Sequence, residues 1–202
     1  MKGKPIGKTM LVSSIAAGTI AAILVVCFIL FAVWTMSMGK SLSRVSFSGQ
    51  NAPVTLTVFG RGTDTLSAQL RIGTADGDVA AIIERSWEGW ELNLDCVMVA
   101  TGSGWLAFPY RLYTDETDPG SGVDLIHYYD LGGMPALYES TRLSAGERAS
   151  LRRLFALVKT ERWIPRFLGR LPHEVVRVRS YEPNAEYSLR VSRKGKLSFS
   201  LE

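Results

Sequence analysis

The amino-acid sequence predicts an α+β protein, with an N-terminal transmembrane helix followed by a mainly antiparallel β domain that carries one amphipathic helix. Three observations predict it: a long uncharged apolar run near the N-terminus, apolar and polar residues that alternate along most of the remaining chain, and helical periodicity in residues 144–158. A β-sandwich with one helix is the alternative arrangement of these elements.

The apolar run covers residues 10–34 and contains no charged side chain. As a helix rising about 1.5 Å per residue, it exceeds the ~30 Å hydrocarbon core of a bilayer. It is also longer than the ~7–15-residue apolar region of a cleaved signal peptide, so we expect a retained signal anchor. Cleavage near Ser37-Met38-Gly39 is the open alternative, whereas lipidation of Cys27 is not expected because apolar residues surround it.

The distribution of basic residues predicts the orientation of this single-pass helix. Lys2, Lys4 and Lys8 precede the run, against Lys40 and Arg44 behind it, which favours a cytoplasmic N-terminus. The protein is then expected in a bacterial inner membrane, with its domain in the periplasm or an equivalent compartment. The predicted division is a cytoplasmic tail at 1–9, a transmembrane helix at 10–36, a linker at 37–43 and an extracytoplasmic β-rich domain at 44–202.

Small residues recur every fourth position within the predicted span, at Ser14, Gly18 and Ala22. A stripe of small side chains lets two helices approach closely, so these residues are candidates for transmembrane packing and self-association. The plainer interpretation is that Ala and Gly are common in such helices.

Strand-like alternation fills the first part of the outer domain. The clearest hairpin has Leu92, Leu94, Cys96 and Met98 on one strand face, a Gly-rich turn at 101–104 and a returning strand at 105–113. Strands are also expected at 45–47, 54–58, 66–72 and 125–131, whereas 79–87 has mixed periodicity and could be a strand or a short helix. Cys96 reads as a small buried hydrophobic residue.

One amphipathic helix follows. Ser144 and Glu147 form a capping box, in which each side chain satisfies a free backbone amide. Apolar residues then fall at helical spacing up to Val158, and Pro165 is expected to end or kink the helix. Three further strands are expected at 174–181, 186–192 and 196–201.

Charge is distributed unevenly. Residues 45–141 contain four basic and thirteen acidic side chains, whereas residues 142–202 contain fourteen basic and six acidic ones. On the predicted helix, a basic stripe consists of Arg148, Arg152, Lys159 and Arg162. It could contact anionic lipid headgroups or an acidic partner, or it could be a solvated face or pair with the acidic half of the domain. Nucleic acid is not an expected partner, since no binding motif is present.

No residue combination in the sequence specifies a catalytic, cofactor or metal site. His127 and His173 are the only histidines, and either could act as a general base, although lone histidines are usually structural. Trp87, Trp90 and Trp105 lie around the central hairpin; some must pack in the core, and the others could form an exposed surface for glycan or protein binding.

The sequence therefore favours a non-enzymatic binding or assembly module of the cell envelope, tethered by one helix. The alternatives are a membrane-tethered hydrolase using His127 or His173 and a structural subunit of a membrane complex. Expected partners are the membrane and another envelope protein or anionic lipid headgroups. The ligand and the oligomeric state stay open, and no cofactor is predicted.

Overall fold

The computed structural model describes residues 18–20, 22–23, 25–26, 29–30, 51–101, 104–161 and 171–201. The chain divides into two compact units, residues 1–38 and 39–202. In the first, every described residue is helical and side chains such as Ile20 and Leu30 are exposed. Within the described parts of the chain, no helix has the length and apolar character needed to cross a membrane.

The predicted transmembrane packing residues are only partly described. Gly18 and Ala22 lie in the helical stretch, with open space around the Cα of Gly18. Ser14 lies outside the described residues, as do the tail at 1–9, the linker at 37–43 and most of the predicted span at 10–36. Packing and self-association through this stripe stay predictions.

The second unit is built mainly from strands. In chain order they are β1 (Asn51–Arg61), β2 (Thr65–Gly73), β3 (Val79–Glu88), β4 (Leu92–Thr101), β5 (Gly104–Thr114), β6 (Val123–Asp124), β7 (Asp130–Leu131), β8 (Met134–Pro135), β9 (His173–Val178), β10 (Glu186–Val191) and β11 (Leu197–Leu201). Helix α1 (Ala145–Thr160) lies between β8 and β9. The antiparallel sheets have the orders β11-β10-β1-β2-β3, β6-β5-β4-β9 and β7-β8.

The five-stranded sheet has one buried and one solvent face, as the alternation of its strands predicts. Leu66 and Leu70 of β2 are fully buried, whereas intervening polar residues point outward. On the outer face, Ser67 and Ser86 share a 2.6 Å hydrogen bond, and Gln69 donates to Glu84 at 2.9 Å. These cross-strand pairs stabilise the register of β2 and β3.

In the four-stranded sheet, the central strand β4 is covered on both faces. All eight residues from Leu92 to Val99 are buried, so β4 does not alternate in burial. The two sheets share one core, and β3 and β10 contact β5. On the opposite face, Phe108 of β5 stacks on Phe155 of α1 with ring centroids 6.0 Å apart. The result is a β-sandwich-like domain whose second sheet carries a helix on its outer side.

Two buried tyrosines hydrogen-bond to the backbone groups on the edge of β5 that the short strand β6 does not reach. The hydroxyl of Tyr138 accepts a hydrogen bond from the Ala107 amide at 3.0 Å and donates to the Ala107 carbonyl at 2.6 Å. The hydroxyl of Tyr129 donates to the Pro109 carbonyl at 2.8 Å. Burial raises the pKa of both tyrosines, so both hydroxyls stay protonated and able to donate.

The structure confirms the mainly antiparallel β domain, the central hairpin and the capped amphipathic helix, and the two sheets correspond to the sandwich alternative. The Ser144 hydroxyl accepts from the Glu147 amide, and the Glu147 carboxylate accepts from the Ser144 amide. Residues 79–87 are a strand. Residues outside the description include 45–47 and Pro165.

The prediction of a single strand at 125–131 is wrong. A 3₁₀ turn occupies Ile126–Tyr128, and only Asp130–Leu131 is extended. The reason is local, because the Asp124 carboxylate accepts a hydrogen bond from the Ile126 amide at 3.1 Å and starts the turn.

Candidate functional site

The histidine at the start of β9 lies between two carboxylates. Nδ1 of His173 is 2.9 Å from Oδ1 and 3.2 Å from Oδ2 of Asp95, which is hydrogen-bond distance. Its Nε2 is 3.7 Å from Oε2 of Glu161, close enough for an ion pair when the imidazole is protonated but too long for a direct hydrogen bond. The two imidazole nitrogens therefore face different acidic partners.

Strand pairing and the end of the helix place these residues together. Asp95 of β4 is opposite Val175 in β9, whereas His173 is opposite Val97, so the aspartate and the histidine are diagonal neighbours on one sheet face. Glu161 follows the last residue of α1, and its amide donates to the carbonyl of Val158. The sheet thus supplies the histidine and one carboxylate, and the helix end supplies the other.

The cluster lies in a cleft of about 370 Å³. Its described lining residues are Asp95, Tyr113, Pro119, Glu161, Leu171, His173 and Val175. The side chains of Asp95 and Glu161 are only 6% and 3% exposed, whereas that of His173 is 22% exposed. Because a carboxylate loses its hydration on burial, contact with the imidazole compensates part of that cost.

An aromatic side chain braces the imidazole. The Tyr110 ring meets the His173 ring edge-on, with centroids 5.3 Å apart. Burial raises the pKa of the Tyr110 hydroxyl, so this ring is neutral wherever the protein is folded near neutral pH. The histidine is consequently held from three sides while part of its ring still faces solvent.

The described lining residues of this cleft offer groups for binding and for proton transfer, and they include no Ser, Thr, Cys or Lys side chain. Cys96 follows Asp95 in β4, but it lies fully in the core and burial raises its thiol pKa well above the ordinary value. Among residues that the structure describes, no group of three or more His, Cys, Asp or Glu side chains is arranged to hold a metal.

The other histidine has different surroundings. His127 is exposed on the 3₁₀ turn, and its ring lies against Tyr128 with centroids 4.1 Å apart. In the described part of the chain, no hydrogen bond or ion pair joins it to a carboxylate. Of the two sequence candidates, the cleft contains only His173.

Sequence reasoning missed both acidic partners of that histidine. Asp95 is separated from His173 by 78 residues, and no local spacing relates them. One signal was present: Asn93 and Asp95 alternate with the apolar residues of β4, which places a carboxylate on one strand face. That alternation predicts a solvent-exposed polar face, whereas Asn93 and Asp95 are both buried in the folded domain.

The basic stripe on α1 has several partners within the domain. Lys159 forms a 2.9 Å ion pair with Asp130, and Arg148 donates to the carbonyl of Ser140 at 3.2 Å. Arg152 is exposed, and Arg162 lies outside the described residues. Contact between this stripe and anionic headgroups stays a prediction.

The three tryptophans around the hairpin have separate environments. Trp87 is buried in the core. Trp105 packs against the β10–β11 turn, where an added Cβ on Gly195 would lie 2.8 Å from its ring. Trp90 is 46% exposed. Trp87 therefore has a packing role in the core, and Trp105 has a packing role against the β10–β11 turn.

Known proteins provide no further assignment. The chain matches no protein-family model, no curated protein and no solved structure. Its function has to be inferred from its own residues.

Proposed function

We propose that this chain is a single-pass membrane protein whose outer domain is a non-enzymatic binding module of the cell envelope, with the cleft around His173 as its ligand site. The supporting observation is the convergence of His173, Asp95 and Glu161 in a cleft of about 370 Å³. This volume, with a few polar groups among apolar walls, is typical of small-molecule sites. Carboxylate oxygens accept hydrogen bonds, so we expect a ligand with hydroxyl or amide donors.

Photo-crosslinking in the native membrane tests the ligand site. A benzophenone amino acid replaces Val175, which lines the cleft and is 38% exposed; the matched control replaces Ile82, an exposed aliphatic residue of β3 in the other sheet. We expect a small-molecule adduct at Val175 only, and at least a tenfold lower yield when His173→Gln is added. Equal adduct yields at the two positions, or no effect of His173→Gln, would contradict the proposal.

The membrane anchor is the second part of the proposal. It is supported by the uncharged run at 10–34 and the three lysines before it. Lys194→Cys lies in the turn between β10 and β11, and we expect an impermeant maleimide to label it in intact cells. Lys2→Cys is the control and should stay unlabelled until the cells are opened. Release of the protein by alkaline carbonate, or labelling of Lys2→Cys first, would refute the anchor or its orientation.

The hydrogen bond between Asp95 and His173 favours hydrolysis as a second candidate function. Asp95 would orient the imidazole, and Nε2 would take a proton from a water molecule as that water attacks an ester carbon or phosphorus. The bond to the leaving group then breaks, and the leaving oxygen takes the proton from the imidazolium. No covalent intermediate with the protein is needed.

Full-length protein in detergent distinguishes turnover from binding. Its rates with p-nitrophenyl acetate and bis-p-nitrophenyl phosphate would be compared for wild type, His173→Gln and His127→Gln. A hydrolase should lose on the order of 100-fold in rate only in His173→Gln, since a general base contributes about that much. Indistinguishable rates for all three proteins would exclude hydrolysis of these ester classes by His173 and leave the binding function.

A further inference from the structure

A second surface with the features of a binding site lies where the ends of three strands meet. Arg61 ends β1, Trp90 lies between β3 and β4, and Tyr181 follows β9. The guanidinium carbon of Arg61 is 4.9 Å from the centroid of the Trp90 ring and 5.7 Å from that of Tyr181. Both distances are within the range of cation–π contacts, so the three side chains form one surface.

The backbone beneath the exposed indole is held firmly. The Asp115 carboxylate accepts hydrogen bonds from the amides of Trp90 at 2.7 Å and Glu91 at 2.9 Å. The Arg61 guanidinium donates to the Trp90 carbonyl at 2.5 Å. The hydrogen bonds from the Glu91 and Trp90 amides lower the pKa of Asp115, because they donate to its charged form. An exposed ring on a fixed backbone loses little further freedom when it binds a ligand.

The surroundings of the ring are polar and balanced in charge. Glu91 forms a 2.8 Å ion pair with Arg179, whose side chain is 63% exposed. Arg61, Arg179 and Asp115 thus contact the Trp90-Glu91 segment. Two arginines and two carboxylates balance in charge there, so the surface does not select a strongly charged polymer. A stable protein interface usually buries a broad patch with an apolar centre, which charged groups next to a single indole do not provide.

We infer that Arg61, Trp90 and Tyr181 form a glycan-binding surface. A sugar ring presents C–H bonds on one face and hydroxyls around its edge. The C–H face can pack on the part of the indole that Arg61 leaves exposed, since Trp90 is 46% exposed. Arg61, Arg179 and Glu91 offer donors and acceptors for the hydroxyls. This surface is independent of the His173 cleft, and either function can fail without the other.

Co-sedimentation of the full-length protein in detergent with two insoluble glycans, purified peptidoglycan sacculi and chitin, tests the inference. The sacculi are first stripped of protein by hot detergent and protease. We expect retention on at least one glycan and at least a tenfold lower bound fraction for Trp90→Ala. Tyr128→Ala is the matched control, since Tyr128 is also an exposed aromatic residue, and it should bind like wild type.

Two outcomes would overturn the inference: wild type retained on neither glycan, or Trp90→Ala retained as well as wild type. Unstripped sacculi are run in parallel, and retention on these alone is an instance of the first outcome that would indicate a protein partner. Thermal unfolding of each variant accompanies the assay. If Trp90→Ala unfolds, Trp90→Phe and Tyr181→Ala take its place. Phenylalanine preserves an aromatic face and should keep more of the binding than Tyr181→Ala; equal and full binding by both would refute the surface.

Discussion

Replacement of Tyr138 by phenylalanine tests whether its hydroxyl provides the hydrogen-bond partner for backbone groups at the outer edge of β5. One hydroxyl both accepts a hydrogen bond from the Ala107 amide and donates one to the Ala107 carbonyl. Ala107 is fully buried, so neither group reaches water when the hydroxyl is removed. The variant keeps the ring and its edge-on contact with Phe108, and therefore isolates the two hydrogen bonds.

The expected cost follows from the number of groups left without a partner. A buried backbone donor or acceptor that loses its hydrogen bond costs about 1–3 kcal/mol. With two such groups, and some relief from no longer burying the hydroxyl, Tyr138→Phe should lower the free energy of unfolding by about 2–4 kcal/mol. Tyr129→Phe is the matched control: it removes one bond, to the Pro109 carbonyl, and should cost about 1–2 kcal/mol.

Urea unfolding of the full-length protein in detergent, followed by tryptophan fluorescence, measures both variants. The midpoint should fall further for Tyr138→Phe than for Tyr129→Phe, while the slope m stays unchanged. A midpoint for Tyr138→Phe equal to that of wild type would refute the claim that this hydroxyl stabilises the edge of β5 through its two hydrogen bonds. A larger fall in the unfolding midpoint for Tyr129→Phe would contradict the expectation that losing two hydrogen bonds costs more than losing one.

Further stability predictions concern the helix cap and two turns. Ser144→Ala should cost about 1 kcal/mol in urea unfolding, because it removes the oxygen that caps α1. A hydrogen bond from the Ser144 amide is the chief cause that lowers the pKa of Glu147 from its ordinary 4.5. The stabilising contribution of the Glu147 carboxylate is therefore present above pH 4.5 and is lost as the pH falls through the pKa of the folded state. Unfolding midpoints measured across that pH range should show less pH dependence in Glu147→Gln. Gly195→Ala should lower the free energy of unfolding by about 2–4 kcal/mol, because it combines a left-handed backbone conformation with a clash against Trp105. Gly77→Ala should lower it by only about 1–2 kcal/mol, because φ is +96° there but no atom lies near the added Cβ. Equal thermal shifts for the two glycine variants would contradict the clash.

Local patterns predicted the parts of the domain that depend on neighbours in sequence. Helix α1 begins at the predicted cap because Ser144 and Glu147 are three residues apart and satisfy each other's backbone. The hairpin of β4 and β5 follows from the alternation of Leu92, Leu94 and Cys96 with polar residues and from the short Gly-rich turn that precedes the returning strand. The failed strand at 125–131 shows the limit, since an alternating pattern did not reveal that the Asp124 carboxylate starts a turn.

The sequence by itself determined the β-rich class of the domain that follows the apolar run, its capped helix and its central hairpin, and it predicts the membrane anchor. Only the tertiary structure decided that Asn93 and Asp95, on the polar face of β4, are buried and that Asp95 meets His173 from 78 residues away. It likewise brought Glu161 from the end of α1 to the same imidazole. The physical reason is that alternation records which face of a strand is apolar, whereas the element that covers the other face is chosen by long-range packing.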